Sequence, residues 1–190
     1  MKKRFSFLSF LVLVLFQIAQ TNAQSSNYGV SAGFHDMTLK ASVSGFGTGS
    51  SGASGYYVGF YGEFGLSEKF YVQPELQFSQ VFSGDSDNTQ TLETLTLPVL
   101  FKYYVAEKFN LQAGPMFDLF LGNESEVSDF GIGLAFGGAY VINDKISLTT
   151  KYSLGLNNRT SGVNVADPLL GNLEVSSKID YFQFGLTYNF

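Results

Sequence analysis

A chain of 190 residues carrying 11 Lys+Arg against 16 Asp+Glu, for a formal net charge of -5, suits one domain and argues against a basic face for nucleic acid. The absence of cysteine excludes disulfides, thiolate catalysis, Cys-based zinc sites and a lipid anchor on cysteine. With 21 Gly, 20 Phe and 11 Tyr, four Pro and no Trp, the composition points to strands and turns rather than helices.

The first element in chain order is a targeting segment, Met1 to Ala23. Lys2, Lys3 and Arg4 give it a positive start, and Phe5 to Phe16 is apolar apart from Ser6 and Ser9. Small Thr21 and Ala23 precede Gln24 as a cleavage site requires. The apolar stretch is shorter than the ~20 residues of a spanning helix. The expectation is a cleaved signal peptide over 1–23 and a barrel domain over 24–190.

From Gln24 onward the pattern has period two, the mark of strands with two unlike faces. Eight strands are predicted: Tyr28 to His35, Gly55 to Leu66, Lys69 to Gln80, Leu92 to Val105, Lys108 to Leu121, Ser128 to Ile142, Ile146 to Asn157 and Lys178 to Phe190. Most match the ~9–11 residues of a tilted membrane strand or exceed it slightly. Three connections are tight, at Ser67-Glu68, Ala106-Glu107 and Asn143-Asp144-Lys145. Four are long and polar: Asp36 to Ser54, Val81 to Thr91, Gly122 to Val127 and Asn158 to Ser177. Short turns at one end and long loops at the other describe an all-β, eight-stranded antiparallel up-and-down transmembrane barrel, with periplasmic turns and extracellular loops.

Volume decides which face is outside. Eight strands enclose a space that side chains just fill. Phe182, Phe184, Leu186 and Tyr188 and their counterparts on other strands would not fit there, whereas Gly29, Ser31, Gly33, Gly59, Gly131, Gly133, Ala135, Gly137, Ser147, Ser153 and Gly155 would. The aromatic face is therefore assigned to lipid, with Phe64, Phe70, Tyr103, Phe109, Tyr140, Tyr188 and Phe190 as a girdle near the turns. The inner face also carries Glu63, Glu75, Lys102, Asp118 and Lys151, and counting from the turns puts Glu63, Glu75, Lys102 and Lys151 at similar heights. Buried charges must pair or be hydrated, so these five are predicted to form a lumen charge network that plugs the barrel. Pro74, Pro98 and Pro115 fall inside strands of a sheet with no free edge, and are read as bulges.

The segments Phe70-Tyr71-Val72-Gln73-Pro74-Glu75-Leu76, Leu97-Pro98-Val99-Leu100-Phe101-Lys102-Tyr103, Leu111-Gln112-Ala113-Gly114-Pro115, Asp129-Phe130-Gly131-Ile132-Gly133 and Leu148-Thr149-Thr150-Lys151-Tyr152-Ser153-Leu154-Gly155-Leu156 resemble the outer-membrane β-barrel domain, or PorT-like, family of small bacterial barrels. The likeness covers nearly all of the chain after the signal peptide, in-strand prolines included. It implies the fold and the outer membrane of a Gram-negative bacterium, reached after signal-peptide export. Some members of that family are linked to protein secretion.

No residue set demands chemistry. Gly47-Thr48-Gly49-Ser50-Ser51-Gly52 matches a dinucleotide fingerprint, but a strand follows it where a helix is needed, so it reads as a flexible loop. His35, the single histidine, adjoins Asp36, and neighbours in a strand point to opposite faces. Asp85-Ser86-Asp87-Asn88 lacks the Gly and Glu positions of a calcium loop, and Asn123-Glu124-Ser125 and Asn158-Arg159-Thr160 match glycosylation sequons without weight in a bacterial barrel. The expectation is a non-enzyme with no catalytic residues, metal or cofactor, held in outer-membrane lipid and meeting other envelope proteins through its loops as a scaffold or surface-interaction protein. Alternatives are an accessory of a secretion machine, a narrow pore and, last, a lipid-modifying enzyme using His35.

Overall fold

A computed structural model describes residues 26–43, 45, 47–84, 90–121, 129–160, 164–167 and 171–190. The signal peptide, Asp85-Ser86-Asp87-Asn88 and Asn123-Glu124-Ser125 lie outside them.

The described residues form nine strands in chain order: β1 (Ser26–Val43), β2 (Gly47–Gly65), β3 (Phe70–Ser83), β4 (Gln90–Ala106), β5 (Phe109–Phe120), β6 (Phe130–Val141), β7 (Ile146–Gly155), β8 (Asn164–Asp167) and β9 (Gly171–Asn189). Neighbours in sequence pair antiparallel from β1 to β7, β9 pairs with β7, and β1 pairs with β9. That last ladder closes an eight-stranded barrel, removing the free edges that hydrocarbon would not tolerate. The short β8 lies outside the cylinder and pairs only with the start of β9, Asn164 against Glu174 to Asp167 against Gly171.

The tight turns form where the sequence places them. Leu66 and Ser67 both donate their N–H to the carbonyl of Phe70, at 2.8 and 3.1 Å. In the third turn the Asn143 side chain accepts from the N–H groups of Lys145 and Ile146, each at 2.9 Å, the local bond that suits Asn to turns.

Alternation sets the faces as volume requires. Phe60, Leu76, Phe101, Leu111, Phe136, Phe184 and Leu186 are exposed on the outer surface, while Tyr57, Gln77, Leu100, Asn110, Lys151 and Gln183 are buried inside. Of the predicted girdle, Phe64 alone is covered, packed edge-on beneath Tyr28 with ring centroids 6.1 Å apart. At the far end the outer face turns polar. Ser54 donates to Asp36 at 2.7 Å, Tyr56 to Gln80 at 2.6 Å, and Gln80 to Glu93 at 3.0 Å. Phe70 in the girdle and Gln80 in this collar are separated by ten steps of one strand. At ~3.3 Å per residue and a tilt of ~40°, that is ~25 Å, the height of an outer-membrane apolar band.

Three expectations are corrected. The stretch Asp36 to Ser54 is not a loop: β1 continues to Val43, β2 begins at Gly47, and they pair throughout. Gly47 to Gly52 is thus strand, because serine, threonine and glycine alternate there without hindrance once β1 supplies a ladder. Likewise β9 begins at Gly171, seven residues before the predicted start at Lys178. The prolines, in turn, are not bulges. The ladders lapse between Tyr61↔Glu75 and Phe64↔Val72, between Pro74↔Val99 and Gln77↔Thr96, and between Pro98↔Met116 and Phe101↔Ala113. Each lapse takes equal lengths from both strands, so register is kept, and each holds one proline: Pro74, Pro98 and Pro115 in turn. The missing N–H silences a local pair without inserting a residue. The described β4–β5 register shift lies elsewhere, between Tyr104 and Ala106 beside a turn.

Candidate functional site

The inner face of the barrel is filled in two layers. The layer nearer the turns is polar. Lys102 pairs with Glu63 and also donates to the Gln73 side-chain carbonyl at 2.6 Å. Gln73 and Gln77 donate to the two carboxylate oxygens of Glu75, and Lys151 reaches Glu75 at 2.7 Å. Gln77 accepts from Thr96 and from Gln183, each at 3.0 Å, and Gln183 also meets Nδ1 of His35 at 2.9 Å. Of the five predicted lumen charges, four are therefore joined in one hydrogen-bonded cluster: Glu63, Lys102, Glu75 and Lys151. The strand parity that buries them also brings the glutamines between them.

Asp118, the fifth, stands apart. It pairs with Arg159, which enters the loop end of the barrel from just beyond β7 and lies 5.1 Å from the Phe120 ring centroid. Both partners are almost fully shielded, at 2% and 3% side-chain exposure. The apolar alternation fades near Asn157, yet Arg159 keeps the inward parity of Lys151 and Ser153, and its N–H donates to the Ser177 carbonyl at 2.8 Å as the chain continues beside β9. Gly131 makes room for it, since a Cβ there would sit 2.1 Å from the guanidinium and 2.2 Å from the Asp118 carboxylate.

Around this pair the second layer is apolar. Met37, Ala53, Val81, Leu100, Met116, Ala135, Ile179 and Tyr181 form one buried cluster, with Leu39, Leu92 and Phe120 packed against it. Tyr57 fills the middle, its ring 5.6 Å from the Lys151 ammonium. The predicted plug of charges is thus only one of the two layers: beyond mid-barrel the inward residues of β1, β3 and β4 include Met37, Leu39, Val81 and Leu92. Below the polar layer, Tyr71 and Tyr104 pack edge-on at 5.4 Å and roof a cavity of about 640 Å³ lined by Glu68, Lys69, Val105, Ala106 and Glu107 at the turn end.

His35 is buried against Tyr181 at 5.2 Å, while Asp36 faces outward to Ser54. The two do not meet. Among the described residues no group of three or more His, Cys, Asp or Glu is arranged to hold a metal ion, and none of their helices is long and apolar enough to cross a membrane.

An apolar outer belt bounded by an aromatic girdle and a polar collar, around a cylinder whose buried charges are paired within, defines a transmembrane barrel of the Gram-negative outer membrane. The sequence matches the outer membrane protein beta-barrel domain over residues 18–161, and the chain belongs to that family. Among solved structures it is similar to Neisserial surface protein A, at 14% identity and a TM-score of 0.53, over 88% of this chain and 100% of that one. It is similar as well to Ail, the attachment invasion locus protein of Yersinia pestis, in its complex with the heparin analogue sucrose octasulfate. There the identity is 12% and the TM-score 0.50, over 88% of this chain and 100% of Ail. At these identities the likeness is one of fold. No curated protein matches the sequence.

Proposed function

We propose that the protein is a non-enzymatic surface-interaction protein: a barrel plugged by two layers of side chains that anchors a strand-built extracellular platform in outer-membrane lipid. The observation that carries this reading is the extension of β1, β2 and β9 past the polar collar, with pairing kept from Asp36 to Val43 on both sides of β1. At ~3.3 Å per residue, those seven steps project ~23 Å along the strand. Ordered sheet outside the membrane has no part in spanning it, so its use lies with something outside the cell. The filled lumen speaks against a conduit, and the separation of His35 from Asp36 speaks against catalysis.

Photo-crosslinkers placed one at a time at Thr48, exposed on β2, and at Glu107, exposed in a turn, test this on intact cells. The reading predicts adducts to externally added or surface proteins from Thr48. Adducts from Glu107 alone, to periplasmic proteins, would favour an accessory role in secretion instead.

A further inference from the structure

Above the membrane β1 has a neighbour on each side, β2 as far as Val43↔Gly47 and β9 as far as Val43↔Val175. β2 has no such symmetry. Its ladder with β3 ends at Ser54↔Phe82, β3 ends at Ser83, and Gly84 with φ 110° turns the chain out of the strand. Among the described residues, Gly47 to Ala53 is paired along one side only. Gly47 to Gly52 is exposed throughout, and a Cβ built on Gly47 or Gly49 would meet nothing within 4 Å. From this we infer that the outer edge of β2 accepts an extended segment of a polypeptide from another molecule outside the cell, as an added strand. The inference rests on the surface-interaction reading and names its partner class.

The residues of the edge select that chemistry. Exposed edges are ordinarily blunted by lysine, proline or a bulge, and Gly47-Thr48-Gly49-Ser50-Ser51-Gly52-Ala53 has no charge and no proline. It also has no aromatic ring to stack on a sugar and no cation to hold a sulfate or phosphate. What it offers is a row of backbone N–H and C=O groups along ~20 Å, the means by which a strand is added to a sheet. With side chains this small there are no deep pockets, so pairing reads extended backbone rather than sequence.

A second copy in the same membrane does not fit this edge. β2 runs from the extracellular side toward the turns in every copy, so two copies cannot set their β2 edges antiparallel. A parallel pair related by a two-fold along the membrane normal would cross at about twice the strand tilt of ~35–45°, too steep for a ladder.

Hydrogen exchange on the full protein in lipid nanodiscs tests the inference, with a capped alternating Thr–Val peptide as probe. Within Gly47 to Ala53 the alternate amides that point away from β1 exchange fast alone and gain protection with the peptide, while the same peptide with alternate Val replaced by Pro gives none. Gly49→Lys, which enters open space, keeps the barrel and loses the protection. Slow exchange at those outward amides before any peptide is added would show the edge already covered and overturn the inference. So would no gain with the peptide, equal gain with the prolyl peptide, or unchanged gain in Gly49→Lys. If these fail while Thr48 still crosslinks to outside proteins, the surface-interaction reading stands and strand addition falls.

Discussion

Lys151 and Glu75 are 3% and 1% exposed in their side chains, whereas Lys40, paired with Asp180 on the outer rim, is 48% exposed. The two ion pairs should behave differently on truncation. Removing Lys151 leaves a carboxylate buried without its counter-charge, a loss of ~3–5 kcal/mol. Lys40 sits where water screens it, and the Asp180 carboxylate it would leave still accepts from the Tyr152 hydroxyl and the Gly155 N–H, so its removal costs little. Lys151→Met should therefore lower the urea midpoint of unfolding from lipid vesicles sharply, and Lys40→Met barely. The double change Glu75→Gln with Lys151→Met should recover most of the loss, because the neutral amide at position 75 needs no counter-charge. Equal losses for the two single variants would contradict the burial described. Glu63, Glu75, Lys102 and Lys151 were legible in the sequence because parity alone fixes their face. Arg159 was not: it keeps the inward parity of Lys151, but past Leu156 no apolar outward residue marks the chain as still strand-like.

Strands show the same division. Central strands were read to within a few residues, since their two faces meet lipid and lumen and each position declares its side. β1, β2 and β9 were read short, because beyond the collar both faces of Gly47 to Gly52 meet water and alternation carries no signal. The prolines were misjudged for a related reason: a sequence shows the missing donor but not whether the ladder answers with an extra residue or with silence. The lipid face is tested at Leu76, exposed and six residues from both Phe70 and Phe82 along β3. Leu76→Arg places charge near the midplane at a cost of ~2–4 kcal/mol. Ser153→Thr, on the inner face, adds one methyl and should be mild. Folding yield into vesicles, read by the mobility shift of unheated samples on gels, should fall for the first and hold for the second. Leu76→Arg folding as well as its parent would mean this face does not meet hydrocarbon.

For the molecule as a whole, closure is the organising fact. The β1–β9 ladder runs from Gly29↔Asn189 to Val43↔Val175, and the Phe190 N–H donates to the Tyr28 carbonyl at 3.0 Å. Beyond the cavity at the turn end, eight strands so closed leave room only for their own side chains, and the paired charges, Tyr57 and the apolar layer around Leu100 take it. On the function proposed above, the barrel is a mount for what stands outside it. Conductance of the protein in planar bilayers, with insertion verified by protease protection, tests this most directly. A plugged barrel gives no stable current steps above the bare bilayer at moderate voltage. Reproducible ohmic steps would show an open path through both layers and contradict the account.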